Sequence, residues 1–168
     1  RQFILVLTFL VIGGYAVGQD FRQQYERARE YYAGKKYELA MEVFRQLMVY
    51  APGNPYPEHA SFYYALCSYR LNYKPLAKST MMGIRSTYPS WQRMDEVDYW
   101  LALIYFEQGE WFQAMKALAT LKPDDEIRNL KSNFLHKIGD PEILRMLLED
   151  FHDKEVARQL IQTLLAQA

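Results

Sequence analysis

Three histidines, one cysteine and one acidic run are the residues of this 168-residue chain whose chemistry could go beyond packing. His59, His136 and His152 stand far apart, and none belongs to a His-x-x-x-His or Cys/His spacing that would bring two metal ligands to one helix face. They are expected at exposed or capping positions, with no metal site. Asp124, Asp125 and Glu126 could supply a carboxylate pair for acid–base work, but such a pair needs an apolar pocket or a partner base. Three acids in succession fit a solvated helix start, where negative charge is favoured by the macrodipole. Cys67 follows the apolar run Phe62 to Leu66 and is the single cysteine, so an intramolecular disulfide is impossible and a buried, unactivated thiol is expected. Gly13-Gly14 lies in a leader rather than a phosphate loop, and no Gly-x-Ser-x-Gly nucleophile elbow is present. The expectation is a non-catalytic protein with no cofactor.

The composition narrows the partner. Half of the residues are hydrophobic, enough for a sizeable core, while twenty basic and twenty acidic residues cancel to a formal net charge of zero. That balance removes the electrostatic footprint of a nucleic-acid binder or a polybasic membrane-surface protein. Fourteen tyrosines offer broad apolar faces with polar tips, which suit contact surfaces and wet core edges.

The first eighteen residues read as an address. Phe3 to Ile12 is apolar apart from Thr8, preceded by Arg1 and followed by Gly13, Gly14 and Ala16-Val17-Gly18. This is the layout of a secretory signal peptide over residues 1–18, cleaved after Gly18, and its apolar stretch is too short to cross a bilayer core. Gln19-Asp20 stands where a lipoprotein would carry its cysteine. An exported mature chain that does not span the membrane is expected.

The elements that must position any site repeat. Ala28, Ala65 and Ala102 are 37 residues apart, and Ala40, Ala77 and Ala114 keep the same interval. Phe44, Met81 and Leu118 share it as large apolar residues, as do Leu47, Ile84 and Leu121, and Pro52 is matched by Pro89. Small residues on each of two helices let their axes approach, and the large residues fill the groove beside them. The spacing predicts helices over 21–33, 37–50, 57–71, 74–88, 94–108 and 111–121, with Gly34 suited to a helix C-terminus and Pro75 to a first turn. The three units are residues 21–57, 58–94 and 95–123 of a repeat region spanning 19–123.

Ala28-x-x-Tyr31, Ala40-x-x-x-Phe44 and Pro52, then Leu101-Ala102-x-x-Tyr105 with Gly109-x-Trp111-x-x-Ala114, resemble the tetratricopeptide repeat signature. The resemblance covers about two thirds of the chain. It departs in having 37 residues per unit, the extra residues falling in the inter-repeat turn, and in Ser68 where the second unit should carry tyrosine. It implies an all-α, right-handed helix-turn-helix solenoid of three repeats with C-terminal capping helices. It also implies a scaffold that binds a protein or peptide on its concave face.

On the first helix of each pair, Tyr25, Phe62 and Tyr99 form one aromatic series and Tyr32, Tyr69 and Phe106 another, seven residues on and so on the same face. With Arg29 and Arg70 they make up the expected peptide site, Arg22, Arg29 and Arg70 toward one end and Glu96 and Glu107 toward the other. The alternative is that both series pack adjacent repeats. The segment Ala51 to Ala60 is similar to bacterial envelope tetratricopeptide proteins of the outer-membrane assembly lipoprotein and cell-division coordinator type. That similarity implies a Gram-negative periplasmic location and envelope assembly partners.

After Pro123 the register fails, since Ala102 and Ala114 map to Gly139 and Phe151. Asp124, Asp140-Pro141 and Asp153 predict caps for further amphipathic helices over 124–168, a terminal cap or a connector. A connector would make the chain the N-terminal accessory module of a larger periplasmic ligand-binding or penicillin-binding-protein-activating protein.

Overall fold

The computed structural model describes residues 20–168, in which every regular element is a helix. Helix α1 covers residues 20–33. It is followed by α2 (Tyr37–Leu47), α3 (Pro57–Arg70), α4 (Lys74–Thr87), α5 (Met94–Glu107), α6 (Trp111–Ala119), α7 (Asp125–Lys137), α8 (Pro141–Phe151) and α9 (Lys154–Ala166). α1, α3 and α5 end 37 residues apart, and α2, α4 and α6 begin 37 residues apart. The chain is a helical-hairpin repeat protein, as the sequence period requires. The expected signal peptide, residues 1–18, lies outside the described residues.

The register is carried by one turn, built three times. Lys35, Asn72 and Gly109 each adopt a left-handed conformation, with φ of 58°, 64° and 75°. The N–H groups of these residues donate to the carbonyls of Tyr32, Tyr69 and Phe106, each at 3.0 Å. The next N–H groups, of Lys36, Tyr73 and Glu110, donate to Tyr31, Ser68 and Tyr105 at 2.8, 2.8 and 2.9 Å. This paired pattern is the Schellman motif, which satisfies the last carbonyls of one helix while reversing the chain into the next. Gly34, expected to supply the special backbone at the first turn, does not; the left-handed residue is Lys35, one position later.

The repeated alanines lie at the helix contacts. Ala28, Ala65, Ala102, Ala40 and Ala77 are fully buried and Ala114 nearly so, with Phe44, Met81 and Leu118 buried one helical turn away. Ser68 takes the signature tyrosine position of the second unit, is buried, and donates to the Tyr64 carbonyl at 2.9 Å.

Helix ends differ from expectation where side chains intervene. α2 stops at Leu47 instead of Tyr50 because Asn54 Nδ2 donates to the carbonyls of Leu47 (2.9 Å) and Val49 (3.2 Å), while its Oδ1 accepts the Tyr56 N–H at 3.0 Å. α6 ends at Ala119, where the Thr120 hydroxyl sits 2.7 Å from the Ala117 carbonyl and 2.9 Å from the buried Asp98.

The described residues divide into two compact units, the first ending at Trp91 and the second beginning at Gln92. The first contains two hairpins, α1–α2 and α3–α4. The second contains the third hairpin, α5–α6, whose core merges with that of α7, α8 and α9 through Phe106, Leu118, Phe134, Leu135, Leu144 and Val156. The C-terminal helices therefore complete the third hairpin's core. They are capped differently from the repeat helices. Asp124 accepts from the Ile127 N–H, Asp140 from Glu142, and Asp153 from Glu155 and Val156, as their aspartates predict. Among the described residues no helix is long and apolar enough to cross a membrane.

Candidate functional site

In the first unit the aromatic residues gather into one cluster. Tyr25 stacks on Tyr56 with centroids 4.3 Å apart and planes within 6°, and meets Phe44 and Tyr63 edge-on. Tyr32 meets Tyr37 and Tyr63 edge-on. Tyr63, which the aromatic series passes over, is the hub: it also stacks on Phe44 at 5.2 Å and lies beneath the exposed Arg29 guanidinium, 5.4 Å from its centroid. Tyr63 stands out of register with both series, so its signal lay only in the unbroken run Phe62-Tyr63-Tyr64.

Of the eight expected site residues, two do not reach the surface. Phe62 is fully buried, with Tyr63 and Trp91 edge-on to its ring. Phe106 is 9% exposed, stacked on Phe134 at 3.9 Å and edge-on to Trp111. Both rings pack the core, so the series are not continuous ladders of exposed rings. Tyr25, Tyr32 and Tyr69 are half-buried, and Arg29 and Arg70 are exposed. Burial raises the Tyr32 hydroxyl pKa above its ordinary range, opposed by a hydrogen bond and charge from Arg70. The first unit thus presents a rim of tyrosines and arginines over a packed aromatic base.

Tyr99 has a different setting. It is half-buried, meets Trp100 edge-on at 6.0 Å, and lines a cleft of about 350 Å³ with Asp95, Glu96, Trp100, Lys122, Asp124 and Glu126. Burial, then the charge of Glu126 and a hydrogen bond to it, raise the Tyr99 hydroxyl pKa. Arg93 pairs with Glu96.

The other chemistry-bearing residues have structural settings. Cys67 is fully buried, and burial pushes its thiol up to about 12. His136 and His152 are exposed and place Nδ1 2.7 and 3.1 Å from the Ser132 and Leu148 carbonyls. His59 departs from the exposed or capping role: it is half-buried, its ring 5.2 Å from Trp91. Among the described residues no group of three or more His, Cys, Asp or Glu is placed to hold a metal ion.

Hairpins in fixed register, each closed by the same Schellman turn, define a helical-repeat protein. Residues 96–122, the third hairpin, match the tetratricopeptide repeat family model. No curated protein matches the chain. Repeats of this family mediate protein–protein interaction and are typically non-catalytic.

Proposed function

We propose that this chain is a non-catalytic interaction scaffold that grips a protein or peptide segment through the first helices of its hairpins. The observation that carries this is the rim of the first unit, where the exposed Arg29 guanidinium lies over Tyr63, half-buried Tyr25 and Tyr32 meet the same ring edge-on, and exposed Arg70 donates to the Tyr32 hydroxyl, with half-buried Tyr69 preceding it on α3. Tyrosine and arginine dominate binding hot spots because each offers a large contact area together with directional polar groups. The rings are already held by their neighbours, so little ordering entropy remains to be lost on binding.

Export to the periplasm, or to the periplasmic face of the outer membrane, and envelope assembly partners belong to the same proposal. Their support is the apolar leader and the resemblance of residues 51–60.

A photo-crosslinker placed at Arg29, compared with one at the exposed Gln46 on α2, tests the site. Capture of one partner from position 29 and not 46, lost in Arg29→Glu with helicity retained, is the expected result. Equal capture from both positions, or capture indifferent to the charge reversal, would sink the proposal.

A further inference from the structure

We propose that the cleft at the start of α5 receives a protonated arginine or lysine side chain presented by a partner polypeptide. It rests on the scaffold reading only in taking the ligand to be a polypeptide. The cleft is large enough for such a side chain, at about 350 Å³, and one wall is aromatic, with Tyr99 and Trp100 presenting rings that meet at 85°. The faces of such rings attract cations, tryptophan most strongly, and a guanidinium plane stacks on them.

Around that wall stand Asp95, Glu96 and Glu126, with Asp124 beside them and Lys122 as the one basic residue of the lining. Glu96 already pairs with Arg93 and Glu126 accepts from the Tyr99 hydroxyl. An ionised carboxylate has room for about four hydrogen bonds, so each keeps acceptor capacity for a further donor.

The charge and shape together exclude the alternatives. An anion would meet four carboxylates, and an apolar side chain would strip them of water without replacing its hydrogen bonds. A bare metal ion needs several donors converging at about 2 Å, and among the described residues no such group of three is placed to do so. A long side chain with an aliphatic stem and a cationic tip satisfies the aromatic wall and the carboxylates at once. The surroundings act in the same direction. Residues 92–168 carry fourteen acidic against nine basic residues, a local excess hidden by the neutral whole. A cleft in such a field raises the local concentration of cationic ligands.

Titration of the isotope-labelled chain with acetyl-Gly-Arg-Gly-amide, followed on the Trp100 indole N–H resonance, tests the assignment. Its citrulline counterpart has the same shape without the charge. The arginine peptide and acetyl-Gly-Lys-Gly-amide are expected to move the Trp100 signal saturably, the citrulline peptide to bind about ten-fold more weakly or not at all. Raising salt from about 50 to about 300 mM should weaken the arginine peptide. Asp95→Asn with Glu126→Gln, which keeps shape and the Tyr99 hydrogen bond, should weaken it about ten-fold while the remaining spectrum stays in place.

Equal shifts from arginine and citrulline peptides, or none at Trp100 from either, would overturn the proposal. Methylguanidinium binding as tightly as the arginine peptide would remove the polypeptide from it. Partner capture at position 29 would leave the scaffold reading standing if the cleft failed, so the two failures are distinguishable.

Discussion

Gly109→Ala should destabilise the protein by about 1 kcal/mol for a purely conformational reason, the left-handed backbone of the turn it occupies. An alanine held in the left-handed region costs roughly 1–2 kcal/mol, and the reduced freedom of the unfolded chain returns about 0.4–1 kcal/mol. Space contributes nothing, because a Cβ at Gly109 would meet Trp111 Cζ2 at 3.9 Å, an ordinary contact. Both Schellman hydrogen bonds use backbone N–H groups that alanine retains. Gly83 supplies the internal contrast. It lies inside α4, exposed, with nothing within 4 Å of an added Cβ, so Gly83→Ala should stabilise by about 0.8–1 kcal/mol.

The same turn predicts the reverse substitution elsewhere. Lys35 is exposed with φ of 58°, so Lys35→Gly should stabilise by up to about 1 kcal/mol. Asn72→Gly should gain less, since asparagine tolerates this region better than lysine. Urea unfolding followed by helical circular dichroism reads each change as a midpoint shift of about 0.5 M for a slope near 2 kcal/mol/M. Midpoint shifts in the same direction for Gly109→Ala and Gly83→Ala, or destabilisation by Lys35→Gly, would contradict a conformational origin for these effects.

Cys67 should resist thiol reagents until the chain unfolds. Because its folded pKa is raised to about 12, its contribution is complete below the unfolded thiol's pKa and is lost as pH rises above it, by about 1.4 kcal/mol per pH unit. Cys67→Ala should therefore flatten the decline of urea stability between about pH 9 and 11, and an unchanged slope would refute this. For Asp153, burial raises the carboxyl pKa, but the Lys131 hydrogen bond, the Glu155 N–H and the Lys131 charge outweigh it and hold it below the ordinary value. That stabilisation is present above the unfolded pKa and is lost as pH falls through the folded one. Asp153→Asn, which keeps the cap, should cost about 1 kcal/mol at neutral pH and nothing in strong acid; a pH-independent cost would show a structural effect. Phe134→Ala, which removes the ring stacked on Phe106, should cost about 3–5 kcal/mol in thermal or urea unfolding, and a cost under about 1 kcal/mol would contradict its placement in the core.

The alanine series was legible because it depends on residue size, and size at a fixed interval is visible in a sequence. The left-handed turn was not. Lys35, Asn72 and Gly109 are three different residue types, and two paired backbone hydrogen bonds hold them in one conformation. The glycine that would mark such a turn in the sequence, Gly34, stands one residue before the left-handed position. The aspartate caps at 124, 140 and 153 were legible because there the side chain itself satisfies the helix end.

The site was harder to read for a further reason. Register makes backbone positions equivalent but leaves their surroundings to the neighbours. Tyr25, Phe62 and Tyr99 occupy one position of the repeat, yet Tyr56 stacks on the first, Trp91 meets the second in the core, and the third borders a cleft with Trp100. The position one residue later diverges further. Glu26 is an exposed partner of Arg22, Tyr63 is the hub of an aromatic cluster, and Trp100 walls a cleft. A ladder drawn through equivalent residues follows the architecture, whereas recognition depends on where equivalent positions differ. The first unit's arginine-and-tyrosine rim and the second unit's acidic aromatic cleft are both products of that difference, so each can be altered without disturbing the repeated turn that holds the hairpins in register.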